Sequence, residues 1–305
     1  MSYRDVPDTV ESDVFRLGTP DSFVALSVAG GTLLGWHHHG QPMVRTALPG
    51  VLDCAQPLDA ASFPLVPYSN RIADGRFGWD DRLIGVRPNF APEPHAIHGV
   101  GWQSRWTVDA IAQSSAVMSL HHGGNEDWPW PFLARQRIVL ADGVLLLELE
   151  ARNLADRAVP LGFGHHPYFD AAGAHLRFSA DTVWQNDAAF LPDRCEPPNG
   201  DFDFSHGGQV AGRAIDNCYE GWNGVAAIGW HGLPWQIALS ASATLPCAIV
   251  YIPQDEAYFC FEPVPHTNNA LNLPTAAPVP VVAAGDYFRA TIQLAALPMR
   301  ISPRA

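Results

Sequence analysis

The stretch Tyr258-Phe259-Cys260-Phe261-Glu262-Pro263 reads as a β-strand. Successive side chains of a strand point to opposite faces, so Phe259 and Phe261 anchor one side in a core while Tyr258 and Glu262 share the other. On that reading Glu262 faces a groove. Pro263 has no backbone N–H to give to a ladder and is expected to mark the end of the strand.

Outward from this stretch the same texture recurs. Phe23 to Val28, Val144 to Ala151, Trp235 to Leu239, Ala248 to Ile252 and Tyr287 to Leu294 are short apolar or alternating runs, and 26 glycines and 27 prolines punctuate the chain between them. Many short strands joined by turns give such a pattern. Few short helices are expected, and no strand–helix unit repeats. An all-β fold, a large antiparallel β-sandwich, therefore fits better than a parallel sheet. With 305 residues, 47% of them hydrophobic, the chain can bury a sizeable core without disulfides or metal. No linker or low-complexity stretch divides it, so residues 1–305 read as one domain.

Composition excludes several chemistries. The formal net charge of −13 is spread along the chain without a basic cluster, so nucleic acid is not an expected partner. All 18 basic residues are arginine, which removes Schiff-base, pyridoxal and P-loop lysine chemistry. Cys54, Cys195, Cys218, Cys247 and Cys260 are odd in number and form no CxxC pair, so free thiols are expected rather than a disulfide framework or a thiolate zinc site. Met1-Ser2-Tyr3-Arg4-Asp5 opens no signal-like segment and no run spans a bilayer, so a cytoplasmic protein away from membranes is expected.

Candidate acid–base residues lie in three polar stretches: His95-Ala96-Ile97-His98-Gly99, Gly164-His165-His166-Pro167-Tyr168-Phe169 and Cys260-Phe261-Glu262-Pro263. Two imidazoles and a carboxylate suffice for proton transfer near neutral pH. In the second stretch, period two puts Gly162 and Gly164 on the face of His166 and Phe163 on that of His165, so missing side chains beside His166 are expected to leave room for a ligand. His37-His38-His39 and His121-His122 read as loop residues, and no histidines carry the i, i+4 spacing of a helical zinc site. No metal is expected. Trp102, Trp106, Trp128 and Trp130 are expected mainly in the core, with sugar stacking as the other use.

Taken in order, Asn70-Arg71-Ile72 with Gly75 and Phe77, His98-Gly99 with Trp102 and Trp106, His166-Pro167-Tyr168-Phe169, Asp216 in Ile215-Asp216-Asn217, and Glu262-Pro263 with Asn269-Ala270-Leu271-Asn272 resemble the aldose 1-epimerase, or galactose mutarotase, family. The resemblance covers about residues 17–294. It implies the family's galactose mutarotase-like supersandwich, with the sugar in a cleft of one sheet, and a mutarotase that interconverts α and β anomers of a free monosaccharide without a cofactor. It also implies that His166 is the general acid and Glu262 the general base, and that Arg71, His98 and Asp216, with Asn70 beside them, bind the sugar; His95 is the fallback for His98. Pro67-Tyr68-Ser69 lacks the glycine-rich approach of many galactose mutarotases, and His165 is not required by the motif, so the choice of sugar is open. A hexose-6-phosphate 1-epimerase, drawing on Arg71, Arg76, Arg82 or Arg105, is the first alternative, and an acidic or sulfonated sugar is conceivable on the same ground. A noncatalytic carbohydrate-binding protein is the second. The oligomeric state is left open.

Overall fold

A computed structural model describes residues 13–47, 57–141 and 143–299. The expectations about Met1 to Asp5 and Cys54, and the ends of the 1–305 boundary, lie outside them. Strands dominate; the helical elements among the described residues are four 3₁₀ turns of three residues each. None is long and apolar enough to cross a membrane.

Two large antiparallel sheets carry the architecture. The first has eleven strands, among them Ser22–Ser27, Leu33–His38, Ser62–Leu65, Gly164–Asp170, Tyr258–Val264, Cys247–Ile252, Ile215–Glu220 and Thr182–Asn186, hydrogen-bonded in that order. The second has nine, centred on Phe132–Ala141, Val144–Asn153, Tyr287–Pro298 and Trp235–Ala241. Every apolar run read from the sequence falls on one of these strands, except that Val28 lies just past the end of Ser22–Ser27.

The sheets differ in how they are buried. In Tyr287–Pro298, Phe288, Ala290, Ile292, Leu294 and Ala296 are buried and alternate with mostly exposed neighbours, as expected where one face meets a core and the other meets water. They join one continuous cluster with Leu26, Phe259 and Phe261 of the first sheet. Phe259 and Phe261 are both 0 % exposed, and each buried side chain of this size contributes about 1.5–3 kcal/mol.

The strands Cys247–Ile252 and Tyr258–Val264 are buried on both faces. Their second face carries a separate apolar cluster that includes Phe63, Trp102, Tyr168, Trp184, Ile249 and Val264. Segments before Thr107 and after Val264 lie over it, fastened by Gly162 N–H to the Pro67 carbonyl (2.7 Å) and Asn269 N–H to the Arg71 carbonyl (2.9 Å).

Three local expectations need correction. The strand runs through Pro263, which pairs with Ala248, to Val264. Its ladder with Gly164–Asp170 covers only Tyr168 with Cys260, Phe169 with Phe259 and Asp170 with Tyr258, so no N–H is missed where Pro263 turns its carbonyl toward Gly164. Secondly, Gly162 and Gly164 do not leave ligand space. A Cβ on Gly162 would meet Pro265 at 2.7 Å, and one on Gly164 would meet the Pro263 carbonyl at 2.7 Å. Thirdly, His37, His38, His121 and His122 end strands rather than occupying loops, because His38 pairs with Ser22 and His122 with Phe132.

Candidate active site

Strands Gly164–Asp170 and Tyr258–Val264 set the two central groups. The register that pairs Tyr168 with Cys260 places His166 opposite Glu262 on one face, because residues two apart share a face. His166 Nε2 lies 3.2 Å from Glu262 Oε1. The imidazole is held between two rings: Phe63, its cross-strand partner, at 4.5 Å between centroids, and Tyr168 at 4.7 Å, each inclined by 26°. Arg45 caps the outer face of Tyr168 with its guanidinium carbon 3.8 Å from the ring centroid.

His165 points the other way. Its Nδ1 is 2.5 Å from Ser62 Oγ and its Nε2 3.3 Å from Gln136 Oε1, while Gln136 Nε2 donates to the Gly31 carbonyl at 2.7 Å. This polar thread joins the two sheets through the core. Burial pushes the His165 imidazole down to about 3, so it stays neutral there.

Arg71 and His98 arrive on a small paired element, Arg71–Ile72 with Ala96–Ile97. Asn70 (φ 54°) and His98 (φ 60°) flank it in the left-handed region, which non-glycine residues rarely adopt but Asn and His tolerate better than most. Asn70 N–H donates to His98 Nδ1 (3.2 Å) and His98 N–H to the Asn70 carbonyl (3.0 Å). Gly99 follows with φ +68°, and a Cβ there would meet the Val66 carbonyl at 2.3 Å, so only glycine fits. The His98 ring stands edge-on to His166 at 5.3 Å.

His95 takes another role. Its Nδ1 accepts from Asp74 N–H at 3.0 Å and its Nε2 lies 3.3 Å from the Ala189 carbonyl. It props the loop behind the site.

Arg71 bridges two carboxylates. Its Nε donates to Glu93 Oε2 at 3.0 Å and its Nη1 to Asp216 Oδ2 at 3.2 Å, with Asn70 Oδ1 at 3.4 Å from Nη1. Phe190, at a hairpin tip, lies 5.2 Å from the guanidinium carbon. The structure thus brings all six sequence-selected residues, Asn70, Arg71, His98, His166, Asp216 and Glu262, into one connected cluster. It adds Phe63, Glu93 and Phe190, which sequence reasoning missed. Glu93 sits in Pro92-Glu93-Pro94 and Phe190 in Ala189-Phe190-Leu191, neither of which carries a periodic or motif signal.

Burial sets the protonation states. It pushes the Glu262 carboxyl well above the usual carboxylate range, with the charge of Asp216 adding to the effect and Arg71 opposing it. Burial, and then His98, push the His166 imidazole well down. His98 is pushed down to about 3 by burial and then by Arg71. With Nδ1 taken by Asn70 N–H, neutral His98 carries its proton on Nε2 and can donate it. Asp216 is raised by burial against the pull of Arg71. His166 Nδ1 and Glu262 Oε2 are buried without a protein partner, so the pair has unspent hydrogen-bonding capacity.

Among the described residues, His166, Cys260 and Glu262 form the group able to converge on a metal ion, with ligand atoms within 4.8 Å of one another. Burial and the Glu262 charge push the Cys260 thiol well up. A protonated thiol is a poor ligand, since the thiolate binds metal.

Known proteins share this architecture and sequence pattern. YphB, an uncharacterized protein of Escherichia coli (strain K12), is 26% identical over 278 residues, 88% of this chain and 93% of YphB. A galactose mutarotase-like protein of Clostridium acetobutylicum superposes with a TM-score of 0.83 at 21% identity, covering 94% of this chain and 95% of that one. A galactose 1-epimerase of Lactobacillus acidophilus NCFM superposes with a TM-score of 0.78 at 17% identity, covering 98% of each chain. The sequence model of the aldose 1-epimerase family matches residues 13–295, a span that holds every residue of the cluster, and the chain therefore belongs to the aldose 1-epimerase family.

Proposed function

We propose that the protein is a mutarotase that interconverts the α and β anomers of a free, uncharged monosaccharide by acid–base ring opening and closure, with Glu262 as general base and His166 as general acid. The observation that carries this reading is the 3.2 Å contact between His166 Nε2 and Glu262 Oε1 in a buried site, beside a hydrogen-bonding set of Arg71, His98 and Asp216. A binding protein has no need of a matched acid and base.

In the opening step ionised Glu262 takes the proton of the anomeric hydroxyl. The O–H electron pair becomes the second bond of the carbonyl, the bond from the anomeric carbon to the ring oxygen breaks, and protonated His166 delivers its proton to that oxygen. Rotation about the bond next to the carbonyl, then closure with both transfers reversed, yields the other anomer and restores the pair. Opening leaves Glu262 protonated and His166 neutral, which is the pair of states that burial favours. Arg71 and His98 donate to sugar oxygens as charge develops on them.

Arg71 is engaged by two carboxylates, Arg105 pairs with Asp13 at 2.5 Å, and Arg76 and Arg82 stand exposed on the hairpin of strands Arg76–Trp79 and Arg82–Gly85. This supports the free sugar over the 6-phosphate. The deciding measurement is an NMR time course of anomer equilibration for freshly dissolved galactose, glucose, arabinose, xylose, fucose and a hexose 6-phosphate, with and without protein. Acceleration of a neutral sugar is the expected result, and acceleration of the phosphate alone or of nothing in the panel overturns the proposal.

A further inference from the structure

Arg71 is the guanidinium of this cluster that is paired with carboxylates, and two of its three nitrogens are already committed. Glu93 takes Nε at 3.0 Å, Asp216 takes Nη1 at 3.2 Å, and Phe190 stands against the guanidinium. The Arg71, Glu93 and Asp216 side chains are 12 %, 15 % and 19 % exposed, so solvent screens them little. Glu262 is a third carboxyl within electrostatic reach of Arg71 and Asp216.

Glu93 is fixed rather than loosely paired. Its other oxygen, Oε1, accepts from His95 N–H at 3.4 Å. His95 is in turn tied by Asp74 N–H and sits 3.3 Å from the Ala189 carbonyl. Glu93 N–H closes a turn onto the Phe90 carbonyl at 2.8 Å. The carboxylate is thus held in place from the strand side and from the loop side.

We propose that Glu93 is a specificity-determining residue: it occupies the Arg71 guanidinium so that sugars bearing a carboxylate, sulfonate or phosphate are rejected, while uncharged sugars are accepted through hydroxyl contacts to Glu93 and Asp216. The proposal rests on the mutarotase reading of this site and names its substrate class. The physical ground is repulsion built in against the wrong ligand. A sugar anion that reaches Arg71 must displace one carboxylate or lie beside both, in surroundings that solvent screens little. A hydroxyl donates to those same carboxylates and adds no charge.

The test compares galactose with galacturonate, and glucose with glucose 6-phosphate, by two readouts on the full chain: kcat/KM from anomer equilibration, and binding from saturation-transfer NMR. Wild type is expected to favour the neutral sugar in both. Glu93→Gln keeps the shape and removes the charge, and is expected to raise the galacturonate-to-galactose ratio about tenfold or more. Glu93→Asp keeps the charge and is expected to retain the discrimination. Equal handling of galacturonate and galactose by wild type overturns the proposal without any variant, as does a ratio unchanged in Glu93→Gln or binding of neither sugar. Selective binding of galactose without accelerated equilibration would sink the mutarotase reading and leave the role of Glu93 standing.

Discussion

Asn70 and His98 face each other across a paired turn and exchange two hydrogen bonds, Asn70 N–H to His98 Nδ1 at 3.2 Å and His98 N–H to the Asn70 carbonyl at 3.0 Å. A backbone donor thereby selects the tautomer of a buried imidazole. The only proton His98 can present to a sugar oxygen is on Nε2. Left-handed backbone at both residues is the conformational cost of that arrangement, and Gly99 makes it sterically feasible.

Gly99→Ala tests that dependence. The added methyl meets the Val66 carbonyl and must hold φ near +68°. A loss of about 1–3 kcal/mol in unfolding free energy is expected, measured by urea denaturation, together with weakened sugar binding because His98 is displaced. Unchanged stability and binding would contradict it.

Glu262→Gln is expected to keep the fold and sugar binding while lowering kcat about a hundredfold to ten-thousandfold. Polarimetry reads the rate and NMR reads the binding. Near-normal turnover would remove Glu262 from the base role.

His166→Asn is expected to be impaired to a similar degree, whereas His121→Asn, at an exposed strand position, is expected to stay close to wild type. Equal losses at both positions would indicate general destabilisation.

Arg71→Gln is expected to raise KM and lower kcat/KM, since it removes a donor and leaves Glu93 and Asp216 without their shared cation. Unchanged saturation behaviour would rule out direct sugar contact.

Stability is expected to fall in mild acid. His98 and His165 are held at about 3 and His266 at about 4, all by burial first, against 6.5 when unfolded. Between those values the unfolded chain binds more protons, so stability rises with pH and is lost as pH drops below 6.5. Each histidine contributes on the order of 1.4 kcal/mol per pH unit. The Glu262 carboxyl is raised in the fold, so its contribution has the opposite sign: it favours folding at low pH and is lost as pH rises. Glu262→Gln should therefore gain stability over wild type as pH increases. Urea midpoints from pH 4.5 to 8 check both signs.

The sheet architecture was legible because Tyr258 to Phe261 and Tyr287 to Leu294 carry the strand period in their own residues. The pairing of His166 with Glu262 was legible only through motif order, since its cause, the register of Tyr168 on Cys260, joins segments about ninety residues apart. Pro263 and Gly164 misled for a related reason. Each looks like punctuation in one dimension, while in the fold the proline carbonyl packs against the glycine where two strands part. Glu93 left no trace in the sequence, because its role comes from the loop that carries it to Arg71.

Adjacent positions His165 and His166 act as opposite ends of one indexing pin. The first locks Gly164–Asp170 to Gln136 of the facing sheet, and the second meets Glu262. A one-residue insertion or deletion between Phe163 and Pro167 would turn every following side chain to the other face. The cleft could still receive an imidazole, but from a strand no longer latched to Gln136, so histidine at either position cannot substitute for histidine at the other.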